Sequence, residues 1–111
     1  MSEYHEPVGE LSEQARNYTR ALNSLIEELQ AVDWYHQRIE VTKDEALKKI
    51  LLHNRNEEIE HACMALEWLR RNMEGWDDEL RQYLFSEGDI TELEHEEGGG
   101  EAATDLGIGK L

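Results

Sequence analysis

The sequence predicts an all-α protein: an antiparallel hairpin of two long helices plus a short third helix, half of a four-helix bundle that dimerisation completes. Three observations predict this. Between Val8 and Arg71 there is one glycine, Gly9, and no proline, which favours long unbroken helices over a sheet. Apolar residues in that stretch recur at alternating spacings of four and three, the period of one helical face. A chain of 111 residues also buries a modest core alone, and association is a common remedy.

Helix one is expected to begin near Pro7, which suits a first helical turn. Its stripe runs Leu11, Ala15, Tyr18, Leu22, Leu25, Leu29, Val32, and it ends near Glu40. That is about 50 Å of helix. Thr42-Lys43-Asp44-Glu45 reads as a capping box, with Thr42 as the N-cap of helix two. Helix two runs to about Met73, where Gly75 can end it. The short connection makes the two long helices antiparallel neighbours. A third helix covers Trp76 to Phe85, with Leu80, Tyr83 and Leu84 facing inward. Ser86-Glu87-Gly88-Asp89 is a turn, and Ile90 to Glu97 is a frayed helix. The helical domain is thus residues 1–97. Gly98-Gly99-Gly100 opens a flexible linker over 98–104, and residues 105–111 form a separate short segment.

Charge narrows the function classes. The chain carries 11 basic and 26 acidic residues, a formal net charge of -15. Residues 87–111 hold eight of the acids, and the body remains acidic without them. An acidic body without a basic stripe argues against nucleic acid and fits a protein that attracts cations, although surface acids also serve solubility. Cys63 is the single cysteine, so no disulfide forms within the chain. With no signal peptide and no apolar run of about 18 residues, the chain reads as soluble and cytosolic, without a membrane partner.

The chemistry lies in the middle of helix two. The four-three stripe there reads Leu47, Leu51, Asn54, Glu58, His61, Ala65, Trp68. It is apolar at both ends and polar at its centre. Glu58 and His61, three residues apart, project from one face where the pattern asks for leucine. A carboxylate in an apolar seam costs several kcal/mol unless a charge or a metal compensates it. Helix one supplies a counterpart on the line Ala21, Leu25, Glu28, Val32, Tyr35, Ile39. Glu28 lies about as far before the helix break as Glu58 lies beyond it, so the hairpin brings the two carboxylates to nearly the same height.

A ferritin-like di-iron site takes one Glu from each of two helices and a Glu-x-x-His from each of two others, a known property of that class. This sequence holds half of that set. Two chains about a two-fold axis, the commonest oligomer, complete it. The expected metal ligands are therefore Glu28, Glu58 and His61 of each chain, holding two irons at the dimer interface. Glu58 bridges the metals and Glu28 and His61 are terminal. Carboxylate and imidazole donors suit iron, manganese or zinc, and redox chemistry selects iron. Tyr35 either donates a hydrogen bond that orients a ligating carboxylate or packs in the core. His53 reads as a partly exposed histidine before a metal contact, Cys63 as a small buried apolar residue, and Trp34, Trp68 and Trp76 as packing anchors; Glu27, Gln30, Asp33 and Glu57 read as a solvated face before groups that guide iron inward.

Ile26-Glu27-Glu28-Leu29-Gln30-Ala31-Val32-Asp33-Trp34-Tyr35 resembles the first helix of the encapsulated ferritins. His53-Asn54-Arg55-Asn56-Glu57-Glu58-Ile59-Glu60-His61-Ala62 resembles their second, and Leu66 to Asn72 and Tyr83-Leu84-Phe85 continue the likeness. The resemblance implies half a ferritin that oxidises Fe(II) with dioxygen at an inter-subunit di-iron site. It implies a ring-shaped decamer built from dimers, working in the cytoplasm inside an encapsulin nanocompartment that stores the iron. It places Glu28, Glu58, His61 and Tyr35 at the catalytic centre. The family's outer metal site uses acids of helix one; Glu27 matches one, but Gln30 stands where relatives commonly carry Glu, and a neutral amide binds cations less strongly. Leu106-Gly107-Ile108-Gly109-Lys110-Leu111 resembles the peptide that docks such cargo on the shell wall, with Leu106, Ile108 and Leu111 for apolar pockets and Gly107 and Gly109 for close backbone approach. A di-iron peroxidase and a non-catalytic helical adaptor, whose polar seam merely sets register, are the rival readings.

Overall fold

The seam residues and the caps around them set the architecture, seen in a computed structural model that describes residues 4–94. The chain divides after Met73 into two units. The first contains a 3-10 turn, Val8–Glu10, and two α-helices, α1 (Glu13–Val41) and α2 (Glu45–Asn72). The described residues contain no strand.

Helix α1 starts later than the position of Pro7 suggests. Pro7 precedes the 3-10 turn, the chain extends at Leu11, and Ser12 then caps α1 by accepting a 3.0 Å hydrogen bond from the Ala15 N–H. The break between the long helices also differs in detail from the expected capping box. Asp44, not Thr42, is the N-cap of α2, and its Oδ1 accepts from the Leu47 N–H at 2.9 Å. Thr42 instead closes α1: its backbone N–H and its hydroxyl both donate to the Arg38 carbonyl. Two capping residues so close together let the chain reverse between Val41 and Glu45.

The two helices, 29 and 28 residues long, pack as an antiparallel pair. The face α1 turns toward α2 is the line through Ala21, Leu25, Glu28, Val32, Tyr35 and Ile39, every member of which is half-buried. Leu29, from the neighbouring stripe, is 55% exposed. On α2 the covered line is Leu51, Glu58, Ala62, Ala65 and Leu69. Register is fixed at the far end, where the Tyr18 hydroxyl donates to the Asn72 carbonyl at 2.9 Å and its ring meets Trp68 edge-on at 6.3 Å. The register that sets Tyr18 opposite Asn72 sets Glu28 opposite His61.

One hairpin cannot bury its own apolar surface. Among the described residues only Ala62 and Leu69 are buried. Ile26 and Trp34 of α1 and Ile50, Ile59 and Met64 of α2 are exposed. Cys63, expected inside, is exposed, because it sits on the side of α2 turned from α1. No helix among the described residues is long and apolar enough to cross a membrane.

The second unit holds α3 (Trp76–Tyr83), entered through Gly75 at φ +105°, a conformation that favours glycine. Leu80 and Tyr83 are half-buried as expected, but Leu84 is exposed, because α3 ends at Tyr83 and Phe85 takes φ +61°. The helix expected from Ile90 opens as a 3-10 turn, Ile90–Glu92, capped by Asp89, and Leu93 and Glu94 follow in helical conformation; the rest of that span lies outside the described residues. The Gln82 side-chain amide donates to the Leu93 carbonyl at 2.7 Å, tying α3 to the end of that turn. The expected linker and terminal segment lie outside the described residues.

Losing the cap should cost less than emptying the seam. Asp44→Ala is expected to lower stability by about 1 kcal/mol, and Leu69→Ala by about 2–5 kcal/mol. Urea denaturation at fixed protein concentration measures both. Equal losses would show that Leu69 does not anchor the hairpin.

Candidate metal centre

Glu28 reaches the seam from the middle of α1, and Glu58 and His61 reach it from successive turns of α2. Each offers a ligand atom, and these atoms lie within 4.8 Å of one another. His61 Nδ1 is 3.6 Å from Glu28 Oε1 and 3.7 Å from Glu58 Oε1. The two carboxylates are about three-quarters covered, at 25% and 26% side-chain exposure, while His61 is 44% exposed. The group therefore sits at the edge of the hairpin and opens toward solvent on the His61 side.

The arrangement fits a metal. Two donors held about 2.1 Å from one ion lie at most about 4.2 Å apart. Both imidazole–carboxylate separations fall within that limit, so a small inward movement closes the donors on a cation. Two carboxylates and one imidazole form a hard-to-borderline donor set, suited to iron, manganese or zinc. Three donors leave coordination positions free for a second copy or for small molecules.

Electrostatics point the same way. The Glu28 carboxyl is held above the ordinary carboxylate range, first by its hydrogen bond with Glu58, then by partial desolvation and by the like charge of Glu58. His61 opposes the shift. The site thus holds a proton between two acids more readily than water would, and a cation is the alternative occupant of that place.

The three ligands expected from the sequence are the three brought together. Tyr35 is half-buried two turns along from Glu28, with the Arg38 guanidinium 5.3 Å above its ring, and its hydroxyl makes no hydrogen bond among the described residues. Glu27 and Gln30 are exposed. The sequence singles out Glu57 without its partners. Glu57, assigned to a solvated face, lies with Oε1 3.8 Å from His61 Nε2 and Oε2 4.0 Å from His53 Nε2. The four-residue spacing of His53, Glu57 and His61 is the available signal.

Comparison with known proteins agrees with this architecture. The sequence profile of the EncFtn-like family matches residues 3–87. A ferritin-like protein of Thermotoga maritima is 62% identical over 111 residues, covering 98% of this chain and 97% of the relative. An encapsulated ferritin-like protein of Rhodospirillum rubrum is 50% identical over 120 residues, covering 96% and 86%. The crystal structure of protein ne0167 from Nitrosomonas europaea superposes with a TM-score of 0.77 at 53% identity, covering 80% of this chain and 99% of that one.

A raised carboxyl pKa means the folded state prefers the protonated acid. That stability is fully present below the ordinary carboxylate pKa and is lost as pH rises through the raised value. Metal-free Glu28→Gln, neutral at every pH, should therefore melt a few degrees higher than the parent near pH 7 and match it near pH 4. Added Zn(II) should raise the parent's melting temperature and leave the variant's unchanged. Scanning calorimetry across pH checks both, and a parent that melts higher than the variant at pH 7 without metal contradicts the assignment.

Proposed function

The chain belongs to the EncFtn-like family, and from that footing we propose that it is a ferroxidase, oxidising Fe(II) to Fe(III) with dioxygen at a di-iron site shared by two subunits. The observation that carries the reading is the convergence of Glu28, Glu58 and His61 at the open edge of a hairpin. One copy supplies half of a ferritin-like ligand set, and a second copy about a two-fold axis brings the other half. The exposed Ile50, Ile59 and Met64 on the same helix as two of the ligands supply apolar surface for that association.

Iron is the substrate here. Glu28 and His61 each bind one ferrous ion terminally, and Glu58 spans the two, holding them close enough to deliver electrons together. Each ion gives up one electron, and dioxygen accepts the two with two protons from solvent and leaves as hydrogen peroxide. Tyr35 donates its hydroxyl to a ligating carboxylate once the second copy is in place and fixes its orientation.

The dimers assemble further into a ring-shaped decamer, and the protein is cargo of an encapsulin nanocompartment. An open ring has no closed cavity for mineral, so storage belongs to the shell. Residues 98–104 are the tether, and Leu106, Gly107, Ile108, Gly109 and Leu111 are the docking contacts. Tethering raises the effective concentration of a short peptide at its pocket. The name of the Rhodospirillum relative, an encapsulated ferritin-like protein, supports this location.

Aerobic oxidation of Fe(II) by the purified protein is the direct test. His61→Ala and Glu58→Ala should each slow it by at least about 100-fold, the scale of losing a group that acts on the reacting centre. Parent-like rates in both variants would remove the site assignment. Faster turnover with hydrogen peroxide than with dioxygen would favour a peroxidase, and absence of metal uptake would favour an adaptor. Deleting residues 105–111 should leave oxidation intact and abolish packaging when the shell protein is co-expressed.

A further inference from the structure

His61 presents its two nitrogens to different neighbours. Nδ1 faces the two seam carboxylates, at 3.6 and 3.7 Å. Nε2 faces Glu57, one helical turn earlier on α2, at 3.8 Å. A neutral imidazole has one N–H and one lone pair, and only the nitrogen with the lone pair can bind a metal. Which nitrogen carries the hydrogen therefore decides whether His61 can serve the site at all.

We propose that Glu57 is a positioning residue: its carboxylate accepts a hydrogen bond from Nε2–H of His61, holding the ring in the tautomer and orientation that leave Nδ1 free to ligate. The inference rests on reading Glu28, Glu58 and His61 as a metal centre. The gap exceeds a good hydrogen bond by about 1 Å. Both side chains are near half exposed, at 44% and 48%, which leaves room for the side-chain rotation that closing it requires. Both also stand on one long helix, which keeps their separation fixed through any change at the centre. Metal-bound histidines generally place such an acceptor behind the ring, where it raises ligand basicity as well.

His53 extends the arrangement. Its Nε2 is 4.0 Å from the other oxygen of Glu57, so one carboxylate lies between two imidazoles at four-residue intervals. The outer imidazole thus offers the second oxygen of Glu57 a partner of its own, on the side away from His61. Glu28 and Glu58 cannot accept from Nε2–H, because they occupy the Nδ1 side.

The alternative is that Glu57 contributes only negative charge, and two substitutions separate the cases. Glu57→Gln keeps an oxygen that accepts from Nε2–H but removes the charge, whereas Glu57→Leu removes both. With Zn(II) as a redox-inert probe, calorimetric titration of the full-length protein should show Glu57→Leu binding about 10- to 100-fold more weakly than the parent. Glu57→Gln should recover most of that loss. Glu60→Gln, the removal of an exposed acid on the same helix, serves as the charge control and should change affinity less than threefold. The second readout is the 15N spectrum of histidine-labelled, metal-free protein, with His61 assigned by its disappearance in His61→Ala. The parent should show His61 protonated at Nε2, and Glu57→Leu should show a mixture of tautomers. Equal weakening in Glu57→Gln and Glu57→Leu, or an unchanged tautomer in Glu57→Leu, overturns the positioning role. If the parent binds Zn(II) and His61→Ala does not, that failure leaves the metal centre standing. If the parent binds none, both readings fall.

Discussion

Two carboxylates pressed together across a helix pair constrain everything else in this molecule. Glu28 and Glu58 reach the same point from α1 and α2, with ligand atoms no more than 4.8 Å apart. Like charges at that separation repel by between about 1 and about 3.5 kcal/mol, depending on how much water screens them. The hairpin tolerates this only while something positive stands between them. Glu28 answers by holding its proton more tightly, first through its hydrogen bond with Glu58. Replacing Glu28, Glu58 and His61 by leucines would continue the apolar stripe and give a better-packed pair of helices. A cost of this kind is one that sequences commonly carry at sites.

That cost also explains the poor burial of the single chain. A helical pair with 29 and 28 residues has ample apolar material, yet only Ala62 and Leu69 are buried among the described residues. The half-buried seam on α1 carries the polar Glu28 and the hydroxyl of Tyr35 in place of wholly apolar side chains, so the seam alone contributes less than a full apolar interface. The exposed aliphatic residues that flank it are the reserve. Their burial against a second copy would supply the stability the seam gives up, and the same event would bring the missing ligands. Folding, association and site assembly are on this account one process.

Much of this is legible in the sequence because helical periodicity is a strong local signal and because the anomaly is local too. The line from Ala21 to Ile39 can be drawn from spacing alone, and a glutamate in it stands out. Its height relative to Glu58 follows from counting residues to the break. Finer features depend on competition between neighbours. Thr42 and Asp44 are both good capping residues, and the nearer one captures α2 while Thr42 turns back to Arg38. Cys63 is misplaced by sequence reasoning because residue type says little about which side of a long helix meets its partner. Leu29 belongs to a regular stripe yet is exposed, since a stripe shows which residues want cover and not which chain provides it. The pairing of Glu57 with His61 escapes notice because acids at i and i+4 to a histidine are common on solvated helices, and only the ring orientation of His61 distinguishes it.

Charge balance links the ligand set to the direction of the chemistry. In the proposed two-fold site, four glutamates contribute four negative charges, and two ferrous ions contribute four positive ones. The loaded ferrous site is then neutral, which suits a half-covered seam, where net charge is costly. Oxidation of both ions leaves two surplus positive charges at the same place. That surplus must be met by anions drawn from water or by departure of the ions, and an acidic body offers carboxylates along the way out. On the proposed reading, the donor set is therefore matched to ferrous rather than to ferric iron. Such matching suits a site that turns over and hands its product on, and a storage site would need the opposite bias. A polar acceptor behind His61 fits the same logic, because it holds the one neutral donor in place while charge at the centre changes around it.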